Sequence, residues 1–172
     1  MNQPYISSLL WTVKIAGVSG TGKTTIMTRL GKTLGCTAIT YSNLLKKYGG
    51  DQELADYELA KILAATKGLA LMDEHLEFHN PNKARNYRRE NTRGLILLDS
   101  PLDMLIERIE KDIGKTRKVD KVKLSADLRL SRITAMKLSR ELRIPLLVVS
   151  NLNDHVDDVY KLIYTFLQSL KP

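Results

Sequence analysis

At 172 residues, with 43% hydrophobic and 27% charged residues, the chain can bury a core of its own and is too apolar to be largely disordered. Its longest apolar runs, such as Leu95-Ile96-Leu97-Leu98, are too short to cross a bilayer, and its N-terminus lacks the regions of a secretion signal. A cytoplasmic protein is expected, with a loose tail over 1–8 and one domain over 9–172; the net charge of +8 suits polyanions but names none.

The run LLWTVKIA at 9–16 is apolar but for Lys14, as in a strand buried on both faces of a parallel sheet. After a glycine-rich stretch, Ile26, Met27, Leu30 and Leu34 recur at helical spacing, and Gly35 supplies the stop. CTAITY at 36–41 reads as a second strand, and Cys36, with no partner for a disulfide, as a small buried hydrophobe at its start. Ser42 then caps a short helix over 43–48, which Gly49-Gly50 ends. Asp51 to Lys67 reads as a helix with Leu54, Ala55, Leu59, Ile62 and Leu63 as its apolar stripe. GLALMD at 68–73 is a third strand ending on an acid, followed by an irregular excursion from Glu74 to Arg93 with a short basic helix from about Asn82 to Glu90.

GLILLD at 94–99 is a fourth strand. Ser100, Pro101 and Asp103 then provide an N-cap, a proline for the first helical position and an acid for the first turn of a helix to about Lys111. A polar, basic loop over 112–120 leads to a long helix whose Leu124, Leu128, Ser131, Ala135, Leu138 and Leu142 share one face. IPLLVVS at 144–150 makes a fifth strand, and Asp154 caps a last helix with Val156, Val159, Ile163, Phe166 and Leu170 spaced for burial. Repeated β-α alternation forces crossover connections, so the expected fold is α/β, a three-layer sandwich on a five-stranded parallel sheet.

GVSGTGKTT at 17–25 matches the pattern G-x-x-x-x-G-K-[ST] between a strand and a helix. Gly17, Gly20 and Gly22 let the loop turn tightly, so that backbone N–H groups from Ser19 to Thr24 face an anion at the positive end of the following helix. Lys23 reaches the β and γ phosphates of a nucleotide, Thr21 lies in the cradle, Thr24 offers a hydroxyl to Mg²⁺ and Thr25 one near the α phosphate. The metal then needs a carboxylate at the end of a neighbouring strand, for which Asp73 is favoured and Asp99 is the competitor. HLEFH at 75–79 has its glutamate in the wrong place for a zinc helix, and His155 reads as a surface residue.

Moving a phosphoryl group gains most from cations that close around it. Arg108, Lys111, Lys115, Arg117 and Lys118 lie in or just before the loop between two helices, which can close as a lid over the phosphates, with Arg132 on the helix beyond. Lys83, Arg85, Arg88, Arg89 and Arg93 form a second basic group, able to hold an anionic acceptor or contact RNA.

These residues resemble the small phosphate-loop nucleoside monophosphate kinases, and the archaeal-type adenylate kinases in particular. GVSGTGKTT resembles that family's phosphate loop, and TYSNLL at 40–45 the segment that holds the acceptor, implying substrate contacts for Tyr41 and Ser42. LMDEH at 71–75 resembles a strand ending in Asp-x-His, which implies roles for Asp73 in the magnesium shell and His75 beside the substrate. ERIEKDIGKTRKVD at 107–120 resembles the lid, implying that Arg108 and Arg117 act on the donor and the transferring phosphate; Arg132 resembles the arginine after the lid. VVSNLND at 148–154 resembles the loop passing the donor adenine, with Asn151 beside it. By resemblance the strand order is 2-3-1-4-5. The family's arginine-rich AMP grip has no counterpart in DQELADYELAKILAATKG, and Lys111 stands where the lid carries an arginine. The resemblance therefore carries the fold and donor site further than AMP as acceptor.

The function expected is an ATP- and Mg²⁺-dependent kinase of small molecules, with a nucleoside monophosphate as the leading acceptor and Arg85 or Arg88 helping to orient it. The alternative is an ATP-binding or ATP-hydrolysing module that reports nucleotide state to a protein or RNA partner.

Overall fold

The computed structural model describes residues 10–78, 82–111, 119–150 and 156–170. In chain order the elements are β1 (Leu10–Ala16), α1 (Lys23–Leu34), β2 (Thr37–Ile39), α2 (Tyr41–Lys47), α3 (Gln52–Ala65) and β3 (Gly68–Glu74). They continue with α4 (Lys83–Arg89), β4 (Thr92–Asp99), α5 (Leu102–Lys111), α6 (Lys121–Leu142), β5 (Leu146–Ser150) and α7 (Val156–Ser169). The strands form one parallel sheet in the order β2-β3-β1-β4-β5.

Every residue of β1 is buried, because the strand is central and helices cover both faces of the sheet. Alternation then sorts its side chains. Trp11, Val13 and Ile15 join Leu71, Ile96 and Leu98 against Ile26, Met27 and Leu30 of α1 and Val159 and Ile163 of α7. On the opposite face, Leu10 packs with Ala70, Met72 and Leu63 of α3, and Ala16 with Leu95, Leu97, Tyr87 of α4 and Ala135 and Leu138 of α6. A separate cluster ties the glycine loop to the last two crossover helices through Val18, Leu105, Ile106, Leu124 and Leu128.

Lys14 belongs to this second face and is buried with it. Its ammonium pairs with Glu90, lies 3.2 Å from Met72 Sδ and sits 5.1 Å from the centroid of the Tyr87 ring. The one charge in β1 is thus matched by a carboxylate at the far end of α4, which desolvation requires.

Several boundaries differ from expectation for local reasons. β2 is only three residues long, and α2 begins at Tyr41, so Ser42 lies inside the helix and does not cap it. The capping function passes to Asp73, whose Oδ1 accepts from Tyr41 N–H at 2.8 Å. α5 takes its first bond on the Pro101 carbonyl, one residue after the expected Ser100 cap. β4 starts early, where Thr92 meets Thr12 through their hydroxyls at 2.9 Å, and β5 starts late, beyond Pro145. Leu54 and Val156 are exposed, while Leu167 is buried on α7. Cys36 is half-buried and precedes β2. Burial pushes its thiol up, away from the reactive range. The short basic helix is present as α4. Among the described residues no helix is long and apolar enough to cross a membrane.

Candidate active site

The loop between β1 and α1 turns on three glycines with positive φ: 152° at Gly17, 84° at Gly20 and 86° at Gly22. At Gly17 a Cβ would lie 2.6 Å from Thr21 Oγ1 and 2.7 Å from the Leu98 carbonyl, so nothing larger fits. Thr21 is fully buried, and its hydroxyl donates to the Val18 carbonyl at 2.9 Å, closing the loop on itself. Ile26 N–H makes the first intrahelical bond, to Gly22, so the amides of Lys23, Thr24 and Thr25 have no acceptor within α1. These amides and the helix dipole favour an anion at this end of α1. Ser19, Thr24 and Thr25 are exposed around it.

Lys23 is buried, and its ammonium donates to the Gly17 carbonyl and, at 3.3 Å, to that of Val18. Burial pulls it below the usual lysine range, against the opposing pull of Glu77, Asp73 and Glu74. These three carboxylates come from the C-terminal end of β3 and the turn after it. The register places Asp73 beside Ile15 and Glu74 beside Ala16, immediately before the loop. Burial raises Asp73 above the ordinary carboxylate range, although Tyr41 N–H, His75 and Lys23 stabilise its charge. Glu74 pairs with Lys83 at 3.0 Å, and Lys83 also donates to the His75 carbonyl at 2.6 Å, fastening α4 to this turn.

A carboxylate such as Asp73 and a hydroxyl such as that of Thr24 are oxygen donors of the kind a magnesium ion takes. Mg²⁺ commonly takes one or two protein ligands and fills its remaining positions with water and phosphate oxygens. Only one oxygen of Asp73 receives a bond from Tyr41. Among the described residues no cluster of His, Cys, Asp and Glu suits a metal held by protein ligands alone.

Two of the expected arginines converge on the end of β4 beside the loop. Arg108 Nη1 donates to the Gly20 carbonyl and to the Ser100 hydroxyl, each at 3.3 Å. Arg132 grips Asp99 Oδ2 through Nε at 2.9 Å and Nη2 at 2.7 Å. Asp99, the competing carboxylate, is therefore engaged by an arginine. On the acceptor side, Tyr41 is anchored through its backbone on Asp73, and its hydroxyl donates to Asp56 of α3 at 2.5 Å. Ser42 is exposed on α2. Arg85 is exposed on α4, whereas Arg88 turns to Glu141 of α6 at 3.7 Å. Arg117, Asn151 and most of the 112–120 lid lie outside the described residues, as do His79, His155 and Asp154.

Sequence reasoning missed Glu77. Its side chain is buried, its Oε1 lies 2.8 Å from His75 Nδ1, and its Oε2 accepts from Ser131 Oγ at 3.3 Å. Burial pushes this carboxyl up, but the His75 bond, a backbone bond and the charges of His75 and Lys23 together hold it below the usual range.

No family model matches the chain, and no curated protein does. Solved structures match over nearly its whole length. A shikimate kinase from Acinetobacter baumannii in complex with shikimate is 19% identical, covers 95% of this chain and 96% of its own, and gives a TM-score of 0.60. YorR from Bacillus subtilis, in complex with phosphorylated GDP, is 14% identical over 91% of this chain and 95% of its own, at 0.63. Deoxyadenosine kinase from M. mycoides with bound dCTP is 17% identical over 92% and 99%, at 0.61.

The fold is that of the phosphate-loop kinases. At these identities the likeness concerns architecture, and it spans several kinases rather than singling out the archaeal-type adenylate kinases that the motifs resemble.

Proposed function

We propose that this chain is an ATP-dependent phosphotransferase acting on a small molecule. The observation that carries the reading is Lys23, a buried ammonium bonded to two carbonyls of a glycine loop, between a central strand and a helix whose first amides have no acceptor within it. An ammonium so placed exchanges its carbonyl partners for the β and γ oxygens of a triphosphate without leaving the loop.

The amides of 17–24 hold the donor phosphates, and Lys23 spans them. Arg108 and Arg132, together with Arg117 of the lid, meet the charge that spreads over the γ oxygens during transfer. Asn151 is assigned to the donor base by the motif resemblance alone. Thr24 and Asp73 would hold Mg²⁺, which would supply charge neutralisation to the donor phosphates. Tyr41, Ser42 and His75 face the acceptor, with Arg85 and Arg88 beyond them. Positioning and electrostatics suffice, and no covalent enzyme intermediate is needed. The motif resemblance points to a nucleoside monophosphate acceptor, while the structural neighbours bear the names of kinases of shikimate and deoxyadenosine.

The deciding experiment measures ATP consumption with nucleoside monophosphates, nucleosides, hydroxylated metabolites and RNA in turn. At least one small acceptor should raise consumption well above the rate with water alone, and Lys23→Ala should abolish it. Stimulation by RNA or a protein alone would instead support the second reading, a nucleotide-state reporter. The exposed arginines 85, 88 and 89 on α4 favour that alternative.

A further inference from the structure

The long helix α6 is apolar on two opposite sides, and the body of the molecule uses one of them. Leu124, Leu128, Ser131, Ala135 and Leu138 are buried. At about 3.6 residues per turn Ile133 falls diametrically opposite that face, and it is 54% exposed. Leu130 and Met136 stand three residues to either side of it and Arg129 and Lys137 four, so all four adjoin it on the helix surface. Leu130 and Met136 are also exposed, and Val122 extends the strip toward the start of the helix at 82% exposure. A surface helix ordinarily turns polar and charged groups to water on this side. Adjoining aliphatic side chains held half in water mark a contact surface instead.

The charges on this strip have one sign. Arg129, Lys137 and Arg140 are exposed, and none of them is in an ion pair among the described residues. The two acids of the helix lie off the strip: Asp127 is half-buried, a turn from Leu124 and Ser131, and Glu141 pairs with Arg88 of α4. We propose that the outer face of α6 is a docking surface for a protein helix that intersperses aliphatic side chains with carboxylates. Its apolar groups would cover Leu130, Ile133 and Met136, and its acids would meet Arg129 and Lys137, fixing the register. A second copy of this chain fits poorly. Paired antiparallel about Ile133, each α6 sets Arg129 against Lys137 of the other, and paired parallel it sets each cation against itself. RNA takes cations, but α6 carries no aromatic ring on which a base stacks. A bilayer takes apolar groups gathered apart from a charged face. Here Arg129 stands level with Leu130 and Lys137 with Met136, so the cations interrupt the strip.

The test uses the full chain and a synthetic peptide of about 18 residues, long enough as a helix to span the strip, with Leu at every third or fourth position and Glu beside each Leu. Fluorescence anisotropy should show binding with Kd below about 100 µM. A peptide with Lys in place of each Glu should bind roughly tenfold more weakly, and Ile133→Glu should cost the acidic peptide about as much. Leu162→Glu, at an equally exposed residue of α7, should leave binding unchanged. In the double variant Arg129→Glu with Lys137→Glu the preference should invert in favour of the lysine peptide. All of these positions are exposed, so each variant should retain the circular dichroism of the parent. No binding of the acidic peptide, an equal loss in Leu162→Glu and Ile133→Glu, or a preference that fails to invert would overturn the proposal. So would a dimer in sedimentation equilibrium, retention of single-stranded RNA or co-sedimentation with phosphatidylserine vesicles that Ile133→Glu abolishes, since each gives the face to another occupant. None of these measurements involves a phosphoryl acceptor, so the kinase reading stands or falls separately.

Discussion

Gly17 has no room for a methyl group, because Thr21 Oγ1 and the Leu98 carbonyl stand where it would go. Gly17→Ala should cost about 1–3 kcal/mol of stability through strain and displacement, read by urea unfolding, and should weaken ATP binding in parallel titrations. Asp73 behaves oppositely. Burial raises its folded pKa above the unfolded value, so the folded state binds its proton more readily, and stability from this residue falls as pH rises through the carboxylate range. Lys23, held low by burial, releases its proton more readily when folded, so its share of stability grows as pH rises toward the lysine range. At neutral pH both charges are held at a cost to the fold. Asp73→Asn should therefore raise Tm at neutral pH and steepen the loss of stability on acidification, because the residue that gains from its proton is gone, while its amide oxygen still accepts from Tyr41 N–H. The same substitution should remove magnesium-dependent turnover. A lower Tm with the profile unchanged would show that the carboxylate is not under desolvation stress.

At the level of elements, α4 is bound to the sheet by two buried ion pairs, Glu74 with Lys83 and Lys14 with Glu90. Lys14→Leu leaves Glu90 without its counter-charge and should destabilise by about 3–5 kcal/mol. The double substitution Lys14→Leu with Glu90→Leu should recover most of that loss in the same urea titration, and a purely additive result would deny the pairing. How far such features can be read from the chain depends on their range. Strands such as LLWTVKIA and helices such as 121–142 declare themselves through burial periodicity, and the glycine loop through conformations only glycine adopts readily. The cap of α2 was not legible at Ser42, since the acceptor for Tyr41 N–H is Asp73, 32 residues away. Lys14 looked like a blemish in a strand because Glu90 meets it only after two crossovers. Glu77 stayed hidden because HLEFH invited a test of metal spacing. The bond that matters there joins His75 to a residue two further on, whose other oxygen faces Ser131, 54 positions later.

For the molecule as a whole, the parallel sheet delivers the ends of β1, β3 and β4 to one edge, so the loop, the acids and the arginines meet without any of them lying close in sequence. A ligand held by so many elements should stabilise all of them. MgATP at a hundred times its Kd should add about 2.7 kcal/mol, seen as a rise of roughly 5–10 °C in Tm, and Lys23→Ala should erase the shift. A rise that persists in that variant would place the nucleotide elsewhere. The Lys14 pair bears on assembly as well. β1 is made before α4, so its ammonium finds no counter-ion until Glu90 has been made and α4 has docked. The central strand of the sheet is thus barred from settling early, and a slip along its neighbours would strand a charge in hydrocarbon. Synthesis of Glu90 becomes the event that locks the sheet into alignment.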